Sequence, residues 1–144
     1  MTAQDRYRAM LRDEIAPALR ERGFKGSGTA FVLPDDTHWL QVGFQSSKWN
    51  SSEQAAFTVH LSVVEKAAWS HLAAEWGLKG KPNPNAGYPQ GAVWRLPPLI
   101  FGYDRWWQVI DVPDQSTGVV AEVLDAIDRI GLPCLRSKGA SIGS

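Results

Sequence analysis

Residues 57–63, Phe57-Thr58-Val59-His60-Leu61-Ser62-Val63, alternate without a break. Phe57, Val59, Leu61 and Val63 point one way; Thr58, His60 and Ser62 point the other. A period of two marks a strand with one face on a core, and large branched or aromatic residues suit that face. Upstream, residues 38–46 alternate in the same way, with Leu40, Val42 and Phe44 against Trp39, Gln41, Gly43 and Gln45. Residues 29–33 read as a third strand. Pro34, Asp35, Asp36 and Thr37 make the turn of a hairpin with 38–46. Two more strands are expected at 92–96, closed by Pro97 and Pro98, and at 106–112.

Helical spacing surrounds these strands. Tyr7, Met10, Leu11, Ile15, Ala18 and Leu19 form one stripe, with Thr2 as N-cap and Gly23 as a left-handed stop. Pro17 predicts a kink or a restart. Gly23 to Gly28 is glycine-rich and carries Lys25, but it follows a helix and lacks phosphate-loop spacing, so it reads as a helix stop leading into a strand. Trp69, Leu72, Ala73 and Trp76 line a second helix ending at Gly77. Val120, Val123, Leu124, Ile127 and Ile130 line a third, which Gly131 and Pro133 are expected to stop. Trp69, Trp76 and Trp106 fit core positions. The fold class is α+β: an antiparallel meander of about five strands, with N-terminal, middle and C-terminal helices mainly on one face and the other face partly wet.

The chain has 144 residues, 44% of them hydrophobic, which suggests one domain over 1–135 with a polar tail at 136–144. A chain of this length buries about two-thirds of its unfolded surface and needs no metal or disulfide to fold. Fifteen basic residues balance fifteen acidic ones, which argues against a general nucleic-acid or membrane-surface binder. Arg6, Arg8, Arg12, Arg20, Arg22 and Lys25 fall early, and Asp104, Asp111, Asp114, Glu122, Asp125 and Asp128 fall late; two solvated helix faces are expected. A lone cysteine, Cys134, excludes an internal disulfide and cysteine-based zinc sites. Residues 1–14 do not resemble a signal peptide, and no run approaches the roughly 18 apolar residues of a membrane span. Cytoplasm is the expected location.

Gly23-Phe24-Lys25, Gln45-Ser46-Ser47-Lys48-Trp49-Asn50 leading into Phe57-Thr58-Val59, Trp94-Arg95-Leu96, and Asp104-Arg105-Trp106-Trp107-Gln108-Val109 together resemble the bacterial domain-of-unknown-function family 4304 (DUF4304). The resemblance runs from about residue 5 to 130. The Gln-Ser-Ser-x-Trp and Asp-x-Trp-Trp elements are specific in combination, and the stretch Pro82-Asn83-Pro84-Asn85 departs from the pattern. The resemblance implies a small bacterial α+β domain and brings no established activity, substrate or catalytic residue.

No catalytic constellation is visible. Gly-x-Ser-x-Gly, His-Glu-x-x-His and phosphate-loop patterns are all missing from the sequence. His38, His60 and His71 have no motif around them, and no cofactor or metal is expected. The best candidate site is the polar loop 46–53, with Ser47, Trp49 and Asn50, because a loop tryptophan brings large contact area to a partner. The second candidate is the polar sheet face carrying Gln41, Gln45, Thr58, His60 and Ser62, with Arg95 and Trp107 at its border. Two functions follow. One is a non-enzymatic interaction module of immunity or adaptor type, with an unidentified protein partner and neither nucleic acid nor membrane. The other is a small-molecule binder or enzyme using Gln45, His60 as acid or base and Arg95 as anion anchor, with the glycine- and proline-rich loop 77–91 as its lid. The oligomeric state is open.

Overall fold

The computed structural model describes residues 2–48, 50–89, 91–110, 112 and 115–142, with the side chains of residues 115 and 142 excepted. The chain opens with α1 (Ala3–Met10), a π-turn (Leu11–Ile15) and α2 (Ala16–Glu21). The strands are β1 (Lys25–Ser27), β2 (Ala30–Leu33), β3 (His38–Ser46), β4 (Gln54–Glu65), β5 (Gly91–Arg95) and β6 (Trp107–Ile110). Helix α3 (Lys66–Trp76) follows β4, and α4 (Leu96–Phe101) follows β5. The chain continues through α5 (Gln115–Ala126), a π-turn (Ile127–Gly131) and α6 (Leu132–Arg136).

The sheet is antiparallel in the order β1-β2-β3-β4-β5, and β6 pairs with the same edge of β4 as β5 does. β4 is long enough to hold both. His60 to Val64 pair with β5, and Gln54 to Phe57 pair with β6. The expected α+β meander is therefore present, with β1 and α4 added. β1 has no alternation to reveal it, since all three of its residues are exposed. α4 hides behind its prolines. Pro97 and Pro98 stand in the first turn of a helix, where a missing N–H costs nothing, rather than closing a strand.

The apolar alternation of β3 and β4 builds the main core. Val42, Phe44, Phe57, Val59 and Leu61 are all at most 1% exposed and pack with Tyr7, Met10, Leu19, Trp107, Ile127 and Leu135. The N- and C-terminal helices cover this face. α3 does not; Trp69 and Leu72 pack with Val64 and Trp39 on the opposite side. The reason lies in the strand: Glu65 ends β4 and Lys66 starts α3 with no loop between them, so the helix folds over the face that Val64 presents. The stripe also overreaches. Trp76 in its last turn is 51% exposed, and Trp106 is only half-buried.

Pro17 and Pro133 each follow a π-turn. The Ala16 amide bonds to the Leu11 carbonyl, and the Leu132 amide bonds to the Ile127 carbonyl. The widened turn lets Pro17 and Pro133 sit in the first turn of a restarted helix instead of clashing with a preceding carbonyl. Gly131 and Pro133 thus do not stop the last helical arm, and helix continues to Arg136. The predicted caps hold. Thr2 and Asp5 form a capping box, and Gly23 and Gly77 take positive φ of 95° and 69°.

The segregated charges are not all left to solvent. Arg22 donates twice to Asp128, at 2.6 and 2.9 Å, tying the first helical arm to the last. That pairing holds the Asp128 carboxyl below its ordinary range. The amides of Thr37 and His38 do the same to Asp35. A depressed folded-state value contributes stability above the unfolded carboxyl value, about 3.9, and loses it as pH falls through the folded value. The urea midpoint is therefore expected to be flat above about pH 5 and to fall below about pH 4. Asp128→Asn should lower the plateau and converge with the parent at acid pH. Parallel curves at every pH would contradict the assignment.

Candidate functional site: a sealed polar face and an open basic groove

The register puts Gln41 opposite Ser62, Gly43 opposite His60, Gln45 opposite Thr58 and His60 opposite Arg95. All of these share one face; the alternation predicts this for the β3 and β4 residues, and the β5 register adds Arg95. That face is not wet. Gln41 is 1% exposed, Thr58 and Ser62 0%, and His60 7%. The loop 77–91 lies on it. His60 Nδ1 donates to Asn85 Oδ1 at 2.9 Å, and Asn85 Nδ2 donates to the Phe44 carbonyl at 3.2 Å. Gln41 Nε2 donates to the Pro82 carbonyl at 2.9 Å, and Trp69 Nε1 to the Gly80 carbonyl at 2.9 Å. Gly43 allows the close approach. A Cβ there would stand 2.4 Å from Asn85 Oδ1 and 2.9 Å from Pro84 Cγ. Alternation separates the two faces of a strand but does not show whether a later loop returns to one of them. The available signals were a glycine inside a strand and two prolines with two asparagines inside a loop.

The candidate residues separate. Gln45 is exposed beyond the loop. Arg95 shares a rung with His60 but turns outward, pairing with Asp104 and lying over the Trp106 ring at 5.2 Å. Trp107 borders nothing on this face. Its rung with Phe57 places it in the main core, stacked on Phe57 at 5.8 Å, with Nε1 donating to Glu122 Oε1 at 3.0 Å. Asn50 is a strand closer: Oδ1 accepts from the Ala56 amide at 2.8 Å and Nδ2 donates to the Ala56 carbonyl at 3.3 Å. The Ser47 amide reaches that carbonyl too, at 2.8 Å. Trp49 lies outside the described residues. His71 is exposed, and His38 Nδ1 meets the Thr37 hydroxyl at 2.7 Å.

Among the described residues these contacts bring together no nucleophile, base and orienter. Burial pushes the Cys134 thiol up to about 11, so it stays protonated and unreactive. Among the described residues no three His, Cys, Asp or Glu side chains converge as a metal site would need, and no helix is long and apolar enough to cross a membrane.

A family model described as a domain of unknown function (DUF4304) matches residues 15–137, which takes in every strand and the loop that seals the polar face. The chain belongs to the DUF4304 family. No curated protein and no solved structure matches it. The DUF4304 fold therefore has to be read from its own surface.

On the DUF4304 surface, one open concavity is a groove of about 660 Å³ lined by three lysines, Lys25, Lys66 and Lys81, two carboxylates, Asp35 and Asp36, and by Val32 and Trp39 among others. β1, β2 and β3 give it a floor, because Lys25 and Val32 are paired and point to the same side as Gln41. The start of α3 and the 77–91 loop form its wall. Lys66 Nζ is held by the Asp35 carbonyl at 2.6 Å and sits 4.9 Å from the Trp39 ring centroid. Asp35 already accepts from the amides of Thr37 and His38, at 3.1 and 2.9 Å. Lys25 and Lys81 have no hydrogen-bond or ion-pair partner among the described residues. The segment that leads from α3 to Lys81 also exposes Trp76 and Leu78. In the sequence, Lys25, Asp35, Trp39 and Trp76 read as parts of turns, strands or a helix stripe and none of them as part of a binding site, because lysines at 25, 66 and 81 form no motif.

Proposed function

We propose that this protein is a non-enzymatic interaction module whose recognition surface is the basic groove and the adjoining α3–loop segment, and that its partner is a protein presenting an acidic segment. The observation that carries the reading is the groove itself: two unpaired lysines line one concavity with Lys66, which is pinned beside the Trp39 ring. Unpaired cations around a concavity favour an anionic partner and speed its encounter. The exposed Trp76 and Leu78 supply the apolar area from which interface hot spots are built. The sealing of the polar face supports the same reading, since it removes His60 from contact with any substrate while the loop is in place.

The test is a photoreactive residue placed at Leu78, with a control at the exposed Ala121 on α5, in cells that express the protein naturally. One discrete acidic protein should crosslink from position 78 and not from 121. The double substitution Lys25→Glu with Lys81→Glu should weaken capture of that protein at least tenfold. Equal crosslinking from both positions, or capture indifferent to charge reversal, would sink the reading.

A further inference from the structure

A second cleft, of about 570 Å³, lies on another part of the molecule and shares no lining residue with the basic groove. The first helical arm forms one wall with Tyr7, Leu11 and Ala16. The β1–β2 corner and the end of β3 form the other with Ser27, Thr29 and Ser46. Arg8, Arg12 and Arg20 also line it, and no acidic side chain does. Three guanidinium groups around one concavity make it an anion-attracting site.

The present partners of these arginines are weak or leave donors free. Arg8 meets Asp5 at 3.3 Å and Arg12 meets Asp13 at 2.8 Å, with every side chain about half or more exposed. Surface pairs of this kind contribute little and yield to a competing anion. Arg20 gives one N–H to the Gly26 carbonyl at 2.9 Å, and a guanidinium has five to give. Tyr7 is the independent observation. It is 5% exposed, and its hydroxyl is enclosed with no hydrogen-bond partner among the described residues. Burial raises its pKa well above the ordinary tyrosine range, so it stays a neutral donor. A buried hydroxyl without an acceptor is an uncommon feature of a folded protein.

We propose that this cleft binds a small amphipathic carboxylate, with its apolar body against Leu11, Ala16 and the Tyr7 ring and its head group at Arg12 and Arg20. Its volume falls in the range of small-molecule sites, about 300–1,000 Å³. The apolar wall distinguishes it from a site for inorganic anions, and the guanidinium cluster from one for neutral lipids.

Calorimetric titration of the full chain with decanoate, decyltrimethylammonium and decanol below their aggregation concentrations tests this. Decanoate should bind saturably at one site and the cation should not. Arg12→Gln combined with Arg20→Gln should reduce decanoate affinity at least tenfold, with the far-ultraviolet circular dichroism unchanged. Absence of saturable decanoate binding would overturn the proposal. So would equal binding of the cation or the alcohol, or affinity unchanged in the well-folded variant.

Discussion

Phe57→Ala is expected to destabilise the protein by about 3–5 kcal/mol, among the largest losses any single truncation should cause. Phe57 is fully buried at the one rung where β4 meets β3 on one side and β6 on the other, through Ser46 and Trp107. Its ring lies 5.0 Å from Tyr7, 6.4 Å from Phe44 and 5.8 Å from Trp107, so one side chain joins the first helix, two strands and β6. The strand backbones around it are fixed by their ladders and cannot collapse into the space it leaves. The cavity cost therefore adds to the lost transfer energy. Thermal melting should fall by roughly 10–15 °C for a chain of this size. Trp76→Ala is the internal contrast: a tryptophan half in water should shift stability by no more than about 0.5 kcal/mol. If the two substitutions cost the same, the core is not where the sheet places it.

Gly43→Val should have the second large effect, and it should be local. Gly43 has no positive φ, and a β-branched residue suits a strand. The nearest obstacle is the loop above it. A Cβ would overlap Asn85 Oδ1 and press on Pro84, so Asn85 must leave and with it the bonds to His60 and to the Phe44 carbonyl. The expected cost is about 1–3 kcal/mol, the usual range for overpacking or for a lost buried hydrogen bond. Hydrogen exchange should rise across 80–87 and stay unchanged in β2 and in the main-core end of β4. Exchange that rises throughout the sheet would mean that the loop is part of the cooperative core instead of a cover on it.

The sheet was readable because Val59, Leu61, Val42 and Phe44 obey the period of two of a strand with one apolar and one polar face, although both faces turn out to be buried. The same parity placed Gln41, Thr58, His60 and Ser62 on one face, whereas the position of Arg95 came only with the β4–β5 register. The helix ends were readable because Thr2, Gly23 and Gly77 have backbone roles that few other residues fill. Other features depended on contacts distant in sequence. Nothing near His60 shows that Asn85, 25 residues on, will cover it. Trp76 follows the stripe of Trp69 and Leu72 but overruns the surface that buries them. Pro97 and Pro133 read as breaks because proline blocks the middle of a helix; at the start of one it does not, and a π-turn before Pro133 supplies such a start. The basic groove gathers Lys25, Lys66 and Lys81 from three elements, which only the fold brings together.

The central claim is that the polar face is closed by the chain's own loop, so recognition falls to the outer surface. Modification of the histidines by diethyl pyrocarbonate, followed by mass spectrometry, tests it most directly. In the unaltered protein the exposed His71 should react quickly and His60 slowly, and in Gly43→Val the His60 rate should approach that of His71. If His60 in the unaltered protein reacts as fast as His71, the face is open and the account is contradicted.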